Sequence, residues 1–265
     1  MGFFTGKIVW ITGASSGIGE ALAHAWVQAG ATVILSARRV DVLEQVRQKI
    51  GGAEGQVHIV PLDLSDAAAL PAIADTWTAR LGRIDILVNN GGISQRALAT
   101  DTLLETDRRI MEVNYFGQVA LTKAVLPHML RQGGGHLVAI SSITGKFGFP
   151  LRSAYAASKH ALHGFFETLL LELADRNIRV TVINPGRIKT DISLHALQGD
   201  GKPQQEMDPG QEKGMPADVC ARQILRAVEH NRPEANIGGA ELIMVYLKRY
   251  IPSLFRFLAG RVSAR

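Results

Sequence analysis

Cysteine is almost absent from this chain: Cys220 is the only one in 265 residues. An internal disulfide needs two thiols and a thiolate metal site needs several, so both are excluded, and a reducing compartment is expected. No apolar run reaches the ~20 residues that a membrane-spanning helix requires. Met1 to Gly6 leads directly into the first apolar run with no signal-like segment, and the expected location is cytoplasmic. Internal repeats and low-complexity tracts are lacking too. Acidic residues are missing from one end. Leu242 to Arg265 carries Lys248, Arg249, Arg256, Arg261 and Arg265 but no Asp or Glu. Those five account for the whole net charge of +5, because the other 24 basic residues face 24 acidic ones. A neutral body offers no basic stripe for nucleic acid. With 46% hydrophobic and 20% charged residues, the chain can bury a sizeable core and is not disordered.

What the chain does contain is an unbroken alternation of strand and helix patterns. Apolar runs at 7–12, 31–37, 57–61, 84–88, 136–140 and 178–183 lack polar alternation, as parallel strands covered on both faces do. Helical periodicity fills 18–28, 41–50, 66–80, 106–131, 153–175 and 217–229, and Asn236-Ile-Gly is a brief last strand. These patterns predict one α/β domain, a Rossmann-type doubly wound parallel sheet spanning 1–265.

Between the first strand and helix lies Thr12-Gly-Ala-Ser-Ser-Gly-Ile-Gly19. Glycines at 13, 17 and 19 permit a tight turn and close approach of backbone to a diphosphate at the helix N-terminus. The second strand ends in Ser36-Ala37-Arg38-Arg39, where dinucleotide folds that choose NAD usually place an acid. Two arginines suit a 2′-phosphate, which accepts charge-assisted bidentate bonds; a solvated turn is the alternative. Asp63 follows the third strand, placed to accept from an adenine amino group or to cap the next helix, for which Ser65 is better placed. Asn89-Asn-Gly-Gly92 ends the fourth strand and can bridge neighbouring strand ends or form an ordinary turn. Asn114 lies inside a helical pattern, where a backbone-competing side chain invites a reason; its carbonyl can hold a water leading to Lys159, or the residue can simply face solvent. His128, His136, His160 and His163 have no metal-ligand spacing and read as surface or capping residues.

The stretch Ser142 to Lys159 concentrates the chemistry. Tyr155 and Lys159, four apart, share one face of a helix for which Ser153 is the expected N-cap. A phenol titrates near ~10, and an ammonium and a helix N-terminus beside it are expected to draw it toward neutral pH. Ser142, just past a buried strand, is placed to grip a carbonyl oxygen that faces Tyr155. Residues 191–214 are polar and aperiodic, long for a compact domain, and are expected to form a mobile lid over substrate. In the tail, Pro252 starts or kinks a helix with Leu254, Phe255, Leu258 and Val262 near one face and Arg256 and Arg265 elsewhere. That helix suits either a peripheral contact with an anionic membrane or burial against the pocket or another subunit.

Taken together, Thr12-Gly-Ala-Ser-Ser-Gly-Ile-Gly19, Asp63, Asn89-Asn90, Asn114, Ser142, Tyr155-x-x-x-Lys159, Pro185-Gly186 and Thr190 resemble the short-chain dehydrogenase/reductase family from Gly6 to about Gly239. Val113-Asn-Tyr-Phe-Gly117 and Arg152-Ser-Ala-Tyr-Ala-Ala-Ser-Lys-His160 look closest to its dehydrogenase/reductase member 7 and 11β-hydroxysteroid dehydrogenase-like branch. Two departures are Gly91, where the family usually has alanine, and the lack of that branch's N-terminal anchor, which puts membrane attachment in doubt. The resemblance implies an NADP(H)-dependent oxidoreductase acting on a secondary alcohol or ketone, with lipid, steroid and 3-oxoacyl substrates all open. It implies Tyr155 as general acid/base, Ser142 as the substrate-positioning hydroxyl, Lys159 as the group that tunes Tyr155 and binds ribose, and Asn114 as support for a proton relay. Cofactor binding would fall to Gly13, Ser15, Ser16, Gly17, Ile18, Gly19, Arg38, Arg39, Asp63, Leu64, Asn90, Gly91, Tyr155, Lys159, Pro185, Gly186, Ile188 and Thr190, with no metal. A homodimer or homotetramer through the helices at 106–131 and 153–175 is implied as well. The alternative from another class is a nucleotide-binding scaffold or sensor that turns nothing over.

Overall fold

Each apolar run becomes a parallel strand, and each amphipathic segment after it becomes a helix crossing back over the sheet. The computed structural model describes residues 2–261. The strands are β1 (Ile8–Thr12), β2 (Thr32–Ala37), β3 (Val57–Pro61), β4 (Ile86–Asn89), β5 (Gly135–Ile140), β6 (Ile178–Pro185), β7 (Ile188–Lys189), β8 (Met215–Pro216) and β9 (Glu234–Ile237). Seven of them form one parallel sheet in the order β3-β2-β1-β4-β5-β6-β9, and β7 pairs with β8 separately. The helices are α1 (Gly17–Gln28), α2 (Val40–Ile50), α3 (Leu70–Leu81), α4 (Leu104–Met111), α5 (Gly117–Arg131), α6 (Ser153–Glu172), α7 (Pro209–Glu212), α8 (Ala217–Glu229), α9 (Ile243–Tyr250) and α10 (Pro252–Ala259).

The period of two along each strand divides the core. Val9 and Ile11 of β1, Val33 and Leu35 of β2, and Ile86 and Val88 of β4 pack with Leu22 and Trp26 of α1 and Ile224 of α8. Trp10, Ile34 and Leu87 point the other way, into a second cluster with Leu121 and Val125 of α5 and Leu162 and Phe166 of α6. Because both faces are covered, the strands need no polar alternation. The chain winds outward from β1 in one direction and from β4 in the other. The loops after these two strands therefore diverge and leave a crevice at the carboxyl edge of the sheet.

The boundaries depart from expectation at four places. The helix expected over 66–80 begins at Leu70, because Pro71 sits in its first turn; Asp66 instead closes a turn by accepting from the Ala69 N–H at 3.3 Å. Neither Asp63 nor Ser65 caps it: Asp63 Oδ1 accepts from Ser65 N at 2.9 Å and from Ser65 Oγ at 2.7 Å. Ser153 is the first residue of α6 rather than its N-cap, a position held by Arg152 without a side-chain bond. The pattern at 106–131 is two helices joined through a π-helical turn, Glu112–Phe116, which contains Asn114.

Two histidines assigned above to surface or caps are buried. His163 lies between Asn184 Oδ1, 2.9 Å from its Nε2, and Glu167 Oε1, 3.1 Å from its Nδ1. His136, 5% exposed, sits 2.8 Å from Thr181 Oγ1, and that hydroxyl donates to the Arg232 carbonyl. Burial, reinforced by the charges of Arg179 and Lys7, lowers the His136 pKa from 6.5 to about 4. Between those values the unfolded chain binds a proton that the folded chain refuses. Stability is therefore present above pH 6.5 and lost as the pH falls toward 4, by about 3 kcal/mol for a shift of this size. Urea unfolding at pH 7 and pH 4.5 is expected to show this loss, and His136→Gln to flatten the dependence. An equally steep dependence in the variant would assign it to other groups.

In the tail, Phe255 and Ala259 of α10 close over Ile143 and Phe147, with Leu242, Val245 and Leu247 packed alongside. Leu254 is 39% exposed, so it does not share the buried face expected for it. Val262 and Arg265, placed above on that helix, lie outside the described residues. Among the described residues no helix is long and apolar enough to cross a membrane.

Candidate active site

At the crevice between β1 and β4 opens a cavity of ≈ 470 Å³, lined by the glycine loop, the ends of β2, β3 and β4, and the Ser142–Lys159 region. Local geometry explains the glycines. Gly17 has φ +57, a left-handed conformation. A Cβ on Gly19 would sit inside the van der Waals envelope of the Gly13 carbonyl oxygen, so helix and loop could not close together. Thr190 packs against Gly17, its Cγ2 only 3.0 Å from where a Cβ would stand.

The β4 end is tied to the β1 end as the Asn-Asn-Gly-Gly sequence suggested. Asn90 Nδ2 donates to the Thr12 carbonyl at 2.9 Å and the Gly13 carbonyl at 3.2 Å. Thr12 Oγ1 in turn accepts from Asn90 N at 3.0 Å and Gly91 N at 2.9 Å. A Cβ at Gly91 would stand 2.6 Å from Leu64 Cδ1, so glycine here gives that leucine its place in the cavity wall. Arg38 and Arg39 leave β2 exposed at one end of the cavity. Burial raises the Asp63 pKa, but the Ser65 hydrogen bonds and the charges of Arg38 and Arg109 outweigh it and hold the carboxyl below its ordinary value.

Asn114 is fully buried, and the π turn aims its amide at the opposite loop. Its Nδ2 donates to the Ile93 carbonyl at 2.9 Å and to Ser158 Oγ at 3.1 Å, while Oδ1 accepts from Ile93 N at 2.8 Å. A carbonyl oxygen with one bond keeps a second lone pair. Such π turns recur at functional sites. Gly92 separates Asn114 from Lys159: a Cβ there would lie 3.1 Å from Asn114 Oδ1 and 3.7 Å from Lys159 Nζ.

Tyr155 and Lys159 do share a face of α6, and Lys159 Nζ stands 5.7 Å from the Tyr155 ring centroid. Lys159 is buried and donates to the Ile140 carbonyl at 2.9 Å. Burial pulls its pKa down from 10.5 to about 8. Burial also pushes the Tyr155 phenol above its ordinary value, against the Arg152 charge and a hydrogen bond with Ser142, both of which favour phenolate. The expected drift of Tyr155 toward neutral pH is thus reversed: desolvation outweighs the nearby cations, and the phenol carries its proton at pH 7. Ser142 Oγ accepts from Thr144 N at 3.2 Å and Thr144 Oγ1 at 3.0 Å, which leaves its own proton for the bond with Tyr155. The Gly186 N–H, expected to face a ligand, is bound to the Ile237 carbonyl at 2.7 Å. Pro185, Gly186, Ile188 and Thr190 nevertheless line the cavity.

Gln95 escaped the sequence reading although its polar side chain, fully buried, holds α6 in place. Its Oε1 accepts from Ala154 N at 2.8 Å and Tyr155 N at 3.3 Å, an N-terminal cap supplied by a distant loop. Its only signal was a lone glutamine after the Gly-Gly turn. Arg152, which lines the cavity beside Tyr155, was read as part of a motif and given no task. Segment 191–214, aperiodic in sequence and expected to form a mobile lid, carries local structure: Leu197 pairs with Gln95 and Pro203, and α7 lies near its end.

The short chain dehydrogenase family matches residues 7–200. A dehydrogenase/reductase SDR family protein 7-like from Drosophila melanogaster is 42% identical over 98% of this chain and 81% of its own. Dehydrogenase/reductase SDR family member 7B from Mus musculus is 40% identical over 98% and 82%. Among solved structures, a short-chain dehydrogenase from Streptomyces avermitilis superposes with TM-score 0.82 at 31% identity, over 97% of this chain and 96% of its own. One from Burkholderia phymatum in complex with NAD gives 0.84 at 25% identity, with 96% of each chain covered. With the doubly wound sheet, the glycine loop and the Ser142, Tyr155 and Lys159 cluster in place, this chain belongs to the short-chain dehydrogenase family, on the branch of dehydrogenase/reductase members 7 and 7B.

Proposed function

We propose that the protein is an NADP(H)-dependent oxidoreductase that transfers a hydride between nicotinamide and a secondary alcohol or ketone. The observation that carries this is a buried phenol at Tyr155, placed with Ser142 and Lys159 in the same cavity as the glycine loop and Arg38. The cavity fits a dinucleotide: Gly17 and Gly19 bring backbone to the α1 N-terminus, and Asn90 holds the opposite strand end beside it. Gly13, Ser15, Ser16, Ile18, Leu64, Gly91 and Thr190 would line the bound cofactor, and Arg38 and Arg39 would take a 2′-phosphate. Relatives in structure were solved both with NAD and with NADP+. A bound nicotinamide would supply or accept the hydride.

The remaining work belongs to the protein. Ser142 donates to the carbonyl oxygen and holds it at Tyr155. Tyr155 gives that oxygen its proton as the carbon is reduced, so the product is the neutral alcohol, and takes a proton back in the oxidative direction. Lys159, charged below about pH 8, stabilises the phenolate left behind. Asn114 leads toward Lys159 across Gly92 for return of the proton. Ile93, Ile192, Leu197 and Pro203 line the cavity and favour an apolar substrate of the lipid, steroid or 3-oxoacyl kind, with segment 191–214 as its lid.

Oxidation of NADPH against a panel of ketones from these classes tests the assignment. Turnover supports it, whereas NADPH binding with no turnover of any ketone would favour a scaffold, for which a Ser–Tyr–Lys set has no use.

The solvent side of the tail exposes Ile243, Tyr246, Tyr250, Ile251 and Phe257 beside Lys248 and Arg249. α6 exposes Leu171 at 79%. We assign the buried face of the tail to packing over Ile143 and Phe147, its outer face to peripheral contact with an anionic membrane from the cytoplasmic side, and α5 and α6 to a homodimer or homotetramer. The full chain is expected to sediment with anionic liposomes in a salt-sensitive way that a chain ending at Leu247 has lost. Sedimentation of neither, with loss of activity or of oligomer on truncation, would leave the tail a purely protein-packing role.

A further inference from the structure

At the substrate end of the cavity the charges do not balance. Arg152 lines the cavity, its guanidinium carbon 5.9 Å from the Tyr155 ring centroid. Its Nη2 donates to Asp208 Oδ2 at 3.2 Å. Arg96, with a side chain only 7% exposed, is ion-paired to the same oxygen of Asp208. One carboxylate therefore serves two arginines. Asp191 also lines the cavity, yet among the described residues it lies within ion-pair distance of neither. Arg187, whose guanidinium lies over Gly210, adds a third positive charge that acts on both, and Glu241 lies close enough to feel it too. Hydrogen-bonding capacity is unmet at the same corner: Arg96 Nη1 and Arg152 Nε are buried without a partner. Burial, reinforced by the charges of Arg152 and Arg187, draws the Arg96 pKa from 12.5 down to about 10; burial and Arg187 lower that of Arg152 as well, against an opposing effect of Tyr155.

A folded protein seldom leaves a buried guanidinium half-paired at a cavity wall unless an anion arrives there. We propose that Arg152 receives an anionic group of the substrate, a carboxylate or a phosphate, while the substrate carbonyl lies at Ser142 and Tyr155. This rests on the oxidoreductase reading of the same cavity and narrows its substrate class to ketones or alcohols that carry an acid group as well as an apolar portion. The planar guanidinium is suited to two parallel bonds with either oxyanion. Arg96 stays on Asp208 and keeps that carboxylate from neutralising Arg152 fully. Because Asp208 belongs to segment 191–214, the anion would bind where the lid is anchored to α6.

Binding separates this from turnover. Calorimetry of hexanoate, hexylphosphonate and the neutral hexanamide is measured on enzyme saturated with NADP+. At least one anion is expected to bind roughly 10- to 150-fold more tightly than the amide, the span of a charge-assisted hydrogen bond. A tighter phosphonate marks a phosphate-bearing substrate, and a tighter hexanoate a carboxylate. Arg152→Met should bring the anion-to-amide ratio toward one, and Arg152→Lys should keep part of it. Arg152→Met leaves Arg96 and Asp208 as a balanced pair, and thermal unfolding of both variants verifies that they fold. Equal binding of all three probes by wild type, no binding of either anion, or an unchanged ratio in Arg152→Met would overturn the proposal. Absence of ketone turnover, by contrast, would count against the oxidoreductase reading and leave this binding result standing.

Discussion

Replacing Tyr155 with phenylalanine is expected to lower kcat by at least the ~10²–10⁴ that a general acid contributes, while cofactor affinity stays near wild type. The substitution deletes one hydroxyl and keeps the ring, which is packed between the Arg152 guanidinium, 5.9 Å from its centroid, and Lys159 Nζ at 5.7 Å. The fold therefore loses little, and the lost rate reports the proton. Lys159→Met should behave differently. It removes a buried cation that is held by the Ile140 carbonyl at 2.9 Å and faces the cavity, so both turnover and cofactor affinity fall. Steady-state kinetics beside a fluorescence titration with NADPH distinguish the two patterns. Most of the wild-type activity surviving in Tyr155→Phe would remove Tyr155 from the reaction.

Arg38→Ala is expected to weaken NADPH by roughly 10- to 150-fold, since a charge-assisted contact to phosphate contributes ~1.5–3 kcal/mol. NADH, which lacks the 2′-phosphate, should be little affected. Arg38 is expected to matter more than Arg39, because its charge reaches Asp63 in the cavity while Arg39 stands at the N-cap of α2. Measured kcat/KM for the two cofactors decides it. A wild-type preference for NADH, or an Arg38→Ala enzyme that still prefers NADPH, would contradict the assignment.

The sheet was legible because parallel strands covered on both faces are written as plain apolar runs, and the runs at 7–12 and 84–88 needed only their lengths to be recognised. Cavity-lining residues that follow strand ends, such as Asn90, Ser142 and Thr190, were legible for the same reason. What escaped depends on contacts between distant segments. Gln95 caps a helix 59 positions away at Ala154, and Asp208 meets Arg152 across 56. Neither partner carries a local mark. Pro71 moved the start of α3, a local rule that periodicity overrode. For Tyr155 the neighbouring cations were readable but the extent of burial was not, and burial decided the direction of its shift. His136 and His163 went unrecognised likewise, since a histidine at a strand start or on a helix reveals nothing of what packs over it.

The most direct test of hydride transfer at this site uses NADPH deuterated on one face of the nicotinamide C4, with a ketone found in the panel, followed by mass spectrometry of the alcohol. Deuterium on the carbinol carbon from one of the two C4-labelled stereoisomers only, transferred by wild type and lost in Tyr155→Phe, is the predicted result. NADPH bound tightly with no label reaching any ketone, or label transferred equally well without the Tyr155 hydroxyl, would contradict it.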